Sequence, residues 1–87
     1  MTLTREQLVT FFHRYAQYKG YNTQASANIS QYKDYKSLSK YAETAMSWAI
    51  QNGIINGTSA STLSPKSSAT RGQLATIIMR FAKNYIK

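Results

Sequence analysis

Apolar residues recur at helical spacing in three stretches of this chain. Leu8, Phe11, Phe12 and Tyr15 fall at i, i+3, i+4 and i+7, which predicts an amphipathic helix over about residues 5–19, with Gly20 as its C-terminal cap. Thr4 and Gln7 fit a capping box, and Leu3 and Leu8 fit the accompanying hydrophobic staple. Tyr41, Ala42, Ala45, Met46, Ala49 and Ile50 make one side of a second helix over about residues 40–52, with Ser39 as cap, Trp48 on a flank and Gly53 at the end. Leu74, Ile77, Ile78, Phe81 and Tyr85 line a third over about residues 71–85, where Thr70 and Gln73 again take the box positions. The expected core is Leu8, Phe11, Phe12, Tyr15, Ala45, Met46, Ala49, Ile50, Leu74, Ile77, Ile78 and Phe81.

The segments between the helices lack this periodicity. Residues 21–38 are rich in Asn, Ser, Gln and Tyr and read as a long connection holding one short helical turn, with Tyr32 and Tyr35 as anchors to the core. Connections of such length in small domains often belong to a site. Ile54-Ile55 is a short run expected to be extended before Asn56-Gly57 turns the chain. Residues 58–69 are polar apart from Leu63 and Pro65, the only proline. The fold class is therefore all-α: a small module of three helices and two long loops.

The first and third helices are related. At an offset of 66, Thr4, Arg5, Gln7, Leu8, Thr10, Arg14 and Ala16 coincide with Thr70, Arg71, Gln73, Leu74, Thr76, Arg80 and Ala82. Phe11, Phe12 and Tyr15 meet Ile77, Ile78 and Phe81, so the apolar stripe is kept while its shapes change. An internal repeat indicates modular, arrayed architecture. Helix 3 has no repeat after it and helix 1 none before it, the pattern expected of a piece of a larger array.

Charge narrows the partner. Eleven Lys and Arg against three acids give a net charge of +8, which favours an anionic partner: nucleic acid, acidic polysaccharide or anionic lipid. No cysteine and one histidine leave no basis for a metal site or a disulfide, and no cofactor is expected. No apolar run reaches the roughly 20 residues of a membrane span. Met1 runs directly into the first helix and reads as an expression start on a fragment, so the absence of a signal peptide does not argue for the cytoplasm.

The order of short signals over residues 32–82 resembles the S-layer homology (SLH) motif of bacterial surface proteins. The signals are Tyr32-Lys33-Asp34, Tyr41-Ala42, Gly53-Ile54-Ile55-Asn56-Gly57, Thr62-Leu63-Ser64-Pro65, and Thr70 to Gln73. Thr4 to Tyr18 then resembles the second half of a preceding motif. On this reading residues 1–20 are that half motif and residues 21–87 a complete one. The resemblance implies a secreted, non-catalytic module at the bacterial cell surface, holding anionic and often pyruvylated wall polysaccharide without a covalent bond. It also implies neighbouring motifs, or further copies of the chain, as partners. The family's arginine falls on Arg71 in the complete motif and on Arg5 in the half motif. Departures are Gln7 and Gln73 at the acid position, Lys40-Tyr41 in place of His-Trp, and Ala60-Ser61-Thr62-Leu63 in place of Asp-Gly-Thr-Phe.

The candidate ligand residues are Arg71, Arg5, Gln73, Gln7 and Tyr41. A helix start favours anions, so an arginine there conflicts with its surroundings until an anion arrives; bonding to a carbonyl of another element is the plain alternative. Thr-x-x-Gln is fully explained by capping, Tyr41 by stacking on a sugar or by packing, and Trp48 by packing with a partly wet edge. His13 reads as a partly buried spacer. The carboxylates Glu6, Asp34 and Glu43 form no pair at i+3 or i+4, and no nucleophile stands with a base, so no catalytic residue is assigned. Two other functions compete. A DNA-binding three-helix module requires a basic recognition face, but Arg71 and Arg80 point to opposite sides of their helix and the lysines are scattered. A structural module would self-assemble through uncovered repeat faces without binding carbohydrate.

Overall fold

The computed structural model describes residues 3–25, 27–56 and 61–85. Among them are three α-helices, α1 (Arg5–Tyr18), α2 (Glu43–Gln51) and α3 (Arg71–Tyr85), and two 3₁₀ turns, Tyr35–Ser37 and Lys40–Ala42. The described residues contain no strand, only an isolated antiparallel bridge between Thr4 and Ser68. The all-α expectation holds, and the first 3₁₀ turn is the helical turn expected in the long connection.

Local chemistry explains the helix ends. Thr4 Oγ1 accepts from the Gln7 amide at 3.2 Å while Gln7 Oε1 accepts from the Thr4 amide at 2.9 Å. Thr70 and Gln73 repeat the exchange at 3.0 Å in each direction. At the other end of α1, Gly20 takes φ 75°, its N–H donates to Gln17 O, and the Tyr21 N–H donates to Ala16 O. Gly53 ends α2 in the same way at φ 68°, with Ile54 N–H donating to Ala49 O. A left-handed residue that returns two amides to the last turn requires little else than glycine. Ser39 departs from expectation: its side chain makes no cap bond and turns instead to Glu6.

The core corrects the sequence-based list. Trp48 is not on a flank but at the centre, 0% exposed, with Val9, Ala16, Met46, Ala49, Ile54, Ile55 and Leu63 around it. Phe81 reaches this cluster from α3, with ring centroids 5.2 Å from Phe12 and 6.2 Å from Trp48. The Trp48 Nε1–H donates to the Tyr85 hydroxyl at 2.9 Å, and that hydroxyl donates to Asn22 O at 2.8 Å. Leu8, Ala45, Met46, Ala49, Ile77 and Phe81 are buried as expected; Phe12 and Ile50 are half-buried against them. Phe11, Tyr15, Leu74 and Ile78 are exposed, with Phe11 at 63%. The face of α1 that turns inward carries Arg5, Leu8, Val9, His13 and Ala16, so polar groups occupy part of the space assigned to rings.

The second loop packs like a core element. Ile54, Ile55, Leu63 and Pro65 are buried, and Ile54-Ile55 follows a bend rather than a strand. Asp34 accepts from the Leu63 and Ser64 amides at 2.8 and 2.7 Å. Those two bonds hold Ser64 at φ 51°, an uncommon conformation for a residue with a Cβ. The loop then returns to α1: Arg5 N–H donates to Ser67 O at 2.9 Å, Glu6 N–H to Pro65 O at 3.0 Å and Ala69 N–H to Leu3 O at 2.8 Å. The free amides at the start of α1 are thereby occupied by this loop. Gly57 and Ala60 of the motif lie outside the described residues.

Candidate functional site

Two buried charges organise the surface. Arg5 is 4% exposed; its Nε donates to Leu63 O at 2.9 Å and its Nη2 to Asn56 O at 2.5 Å. Burial pulls the guanidinium below its ordinary value, and the charge of Asp34 acts in the opposite direction. Glu6 is equally enclosed. Its carboxylate accepts from the Ser39 amide at 2.9 Å, the Ser39 hydroxyl at 2.7 Å, the Tyr41 hydroxyl at 3.1 Å and Lys66 Nζ at 2.9 Å. Lys66 also donates to Ser39 Oγ. Burial alone would raise the Glu6 carboxyl, but the bonds from Ser39, Lys66 and Tyr41 outweigh it and hold it below the ordinary range.

The other carboxylates are also engaged. Asp34 serves the Leu63–Ser64 backbone, and Glu43 accepts from the Tyr35 hydroxyl at 2.5 Å. Lys66 with Glu6 is the one ion pair among the described residues. The remaining cations among the described residues have no acidic partner at salt-bridge distance.

Two surface grooves result. The first, of about 370 Å³, lies between α3 and the turn after α2; Arg5, Asn56, Thr70, Gln73, Thr76 and Arg80 supply its polar lining, and Ile54, Ile55 and Ile77 its apolar floor. It holds two guanidinium-bearing residues and no carboxylate. Gln73 commits its oxygen to the Thr70 amide, which leaves its NH₂ group as a donor. The second groove, of about 620 Å³, runs along α1 and is lined by Leu3, Gln7, Thr10, Phe11, Arg14, Tyr15, Tyr18 and Tyr41.

The structure divides the five sequence-predicted residues. Arg5 and Gln73 line the first groove, Gln7 and Tyr41 the second, and Arg71, exposed at the start of α3, lines neither. Arg5 is held by carbonyls, the plain alternative weighed for it. Arg80, placed opposite Arg71 from helical spacing, is indeed on another side of α3, and that side is the one facing the groove. Sequence reasoning passed over Arg14, Arg80, Glu6 and Asp34. The repeat contained a signal for the first two, since Arg14 and Arg80 coincide at the offset of 66.

Among the described residues, no group of three or more His, Cys, Asp or Glu side chains stands where it would hold a metal ion, and no helix is long and apolar enough to cross a membrane. Residues 31–75, more than half of the chain, match the S-layer homology domain family. Neither the curated proteins nor the solved structures gave a match. The tyrosine-aspartate opening, the glycine-ended α2, the buried turn and the capped arginine helix all fall within or beside the matched span. The chain belongs to the S-layer homology domain family, a family of anchoring modules of the bacterial cell surface.

Proposed function

We propose that this module holds an anionic cell-wall polysaccharide non-covalently at the groove between α3 and the Ile54–Asn56 turn. The observation that supports the reading most is electrostatic. Arg5 and Arg80 share a groove with no carboxylate in its lining, so a bound carboxylate would meet positive charge there and no competing acid. Arg80 supplies the accessible two-pronged donor. Gln73, Thr70 and Thr76 supply hydrogen bonds for sugar hydroxyls, and Ile54 and Ile77 offer an apolar floor to a ring face. Arg5 acts chiefly by fixing the turn, because its guanidinium already serves Leu63 and Asn56. Arg71, exposed and without an acid at salt-bridge distance among the described residues, is the other candidate contact for the polymer's acidic group.

The test is equilibrium binding to purified wall polysaccharide at two salt concentrations, beside a duplex DNA control. Arg80→Ala and Arg71→Ala are compared with Lys36→Ala, which loses the same charge from an exposed position in the first 3₁₀ turn. Selective weakening by Arg80→Ala supports the groove, and selective weakening by Arg71→Ala transfers the contact to the helix start. Equal weakening by all three variants, vanishing in moderate salt, means diffuse attraction to a polyanion and rejects the reading.

A second reading, a role in assembly, is favoured by one observation. Leu74, Ile78 and Met79 leave an apolar strip of α3 exposed, which an adjoining motif or a second copy of the chain would cover.

A further inference from the structure

Two asparagines of this chain precede glycine, Asn52-Gly53 and Asn56-Gly57. An asparagine so placed loses its side-chain amide without an enzyme when the glycine nitrogen attacks the side-chain carbonyl, since no Cβ on the following residue obstructs the approach. The structure treats the two differently. Asn52 is half-buried at the end of α2. Its Nδ2 donates to Trp48 O at 2.8 Å, and the Gly53 N–H, which the reaction must remove, donates to Ile50 O at 3.2 Å. Its own carbonyl accepts from a neutral amide, Asn84 Nδ2, at 3.1 Å.

Asn56 is exposed, and its carbonyl accepts from the Arg5 guanidinium at 2.5 Å. That carbonyl and the Gly57 nitrogen belong to one peptide bond. When the nitrogen gives up its proton, the negative charge spreads by resonance onto the carbonyl oxygen, where a cationic donor already stands. Arg5 is itself buried and fixed by its second bond, to Leu63 O, so the donor needs no rearrangement.

We propose that Asn56 is a self-modification site whose product, a carboxylate, occupies the groove beside Arg80. The Gly57 nitrogen, deprotonated by solvent base, forms a bond to Asn56 Cγ; the Cγ–Nδ2 bond breaks, and the amide nitrogen takes up protons and leaves as ammonia. Water then opens the five-membered imide at either carbonyl, giving aspartate or isoaspartate. The net change is one water consumed and one ammonia released. The consequence rests on the reading of this groove as the saccharide site. Asn56 lines it with Thr70, Gln73 and Arg80, and the lining holds no carboxylate. An acid made there from the chain itself competes with the acid of a wall polymer. Binding is then lost with the age of the molecule rather than with its unfolding.

Peptide mapping by mass spectrometry tests the chemistry, on the full chain incubated in mildly alkaline buffer with and without urea. In urea both asparagines are expected to convert at similar rates. In the folded chain Asn56 is expected to convert at least as fast as in urea. Asn52 should convert roughly 10-fold more slowly, the scale of the hydrogen bonds that must break to free its reacting groups. An Asn56 that stays intact in the folded chain while converting in urea overturns the proposal, as does equal conversion of the two sites in the folded chain. Calorimetric titration with tetragalacturonate tests the consequence. Asn56→Asp, which carries the product's carboxylate, is expected to bind roughly 10-fold more weakly than the wild-type chain, the scale of one charge-assisted contact. Asn56→Gln, which keeps the amide, and Lys36→Ala, which makes the same change in net charge, should stay within about 3-fold of it. Equal weakening by Asn56→Asp and Lys36→Ala is a net-charge effect and overturns the claim that the product occupies the groove. A wild-type chain that does not bind the probe overturns the saccharide reading and the competition with it, while the peptide map still decides the modification.

Discussion

Arg5 and Asp34 grip one residue from opposite ends of its backbone: Asp34 accepts the Leu63 N–H at 2.8 Å, and Arg5 Nε donates to the Leu63 carbonyl at 2.9 Å. Arg5 reaches on to Asn56 O, so a single side chain joins Asn56 to Leu63. Arg5→Ala strands two carbonyls in a dry setting and is expected to cost about 2–4 kcal/mol, measured by urea unfolding. Arg71→Ala, at the equivalent but exposed position, is expected to stay within about 0.5 kcal/mol. Equal costs at the two positions would refute the account of Arg5 as the residue that fixes the loop.

Trp48 and Tyr85 make a second prediction. Tyr85→Phe keeps the ring stacked on Tyr21 at 4.9 Å but removes the acceptor of Trp48 Nε1 and the donor to Asn22 O. The expected loss is roughly 1–3 kcal/mol, accompanied by a change in the emission of the only tryptophan. Trp48→Ala empties the centre of the core at a cost of roughly 3–5 kcal/mol, which a chain of this size is not expected to survive.

His13 makes stability depend on pH. Its ring lies 5.2 Å from that of Trp48, its Nε2 is buried without a hydrogen-bond partner, and burial lowers its pKa against the opposing bond to the Thr23 backbone. The folded protein therefore holds this proton more weakly than the unfolded chain. The stability tied to a neutral ring is complete above the ordinary value of 6.5 and is lost as pH falls through the lower folded value. Urea midpoints should fall between about pH 7 and 5, and His13→Phe should flatten that slope. The lowered Glu6 and Asp34 carboxyls add a separate loss, which begins only as pH falls below the ordinary carboxylate range.

Phe11, Ile78 and Met79 are 63%, 48% and 57% exposed, a large apolar surface for so small a chain. Concentration-dependent self-association is the expected outcome in sedimentation, and Ile78→Lys should shift the chain toward monomer. A compact monomer at every concentration would show that these residues do not form an interface between copies.

Elements whose causes are local were legible in the sequence. Capping boxes and glycine terminators act within five residues, and they located the helices to within a residue or two at most ends. The start of α2 was the exception, because a 3₁₀ turn precedes it. The inward face of α1 was not legible. Hydrophobicity pointed to Leu8, Phe11, Phe12 and Tyr15, but Arg5, Glu6, Thr10 and His13 also turn inward. Arg5 and Glu6 find their partners some 30 to 60 residues away, a distance that periodicity does not register. The same limit concealed Leu63 and Pro65, buried by loop bonds rather than by a stripe. At the site, sequence spacing separated Arg71 from Arg80 correctly. Only the positions of Ile54, Ile55 and Asn56 revealed which of the two arginines faces a groove.

The seat of α1 has a temporal consequence. Arg5 bonds to a residue 58 positions later and Glu6 to one 60 positions later, so α1 depends on a loop that is synthesised well after it. At about 5–20 residues per second on the ribosome, α1 waits several seconds for that loop, and a 14-residue helix without its packing partners is marginal in water. Glu6 meets Ser39 and Tyr41 first, but Arg5 gains its carbonyl partners and Glu6 its Lys66 ammonium only when residues 56–66 have emerged. Refolding of this helical chain should accordingly be slower than its helix content implies, because closing those long loops precedes the contacts that stabilise them.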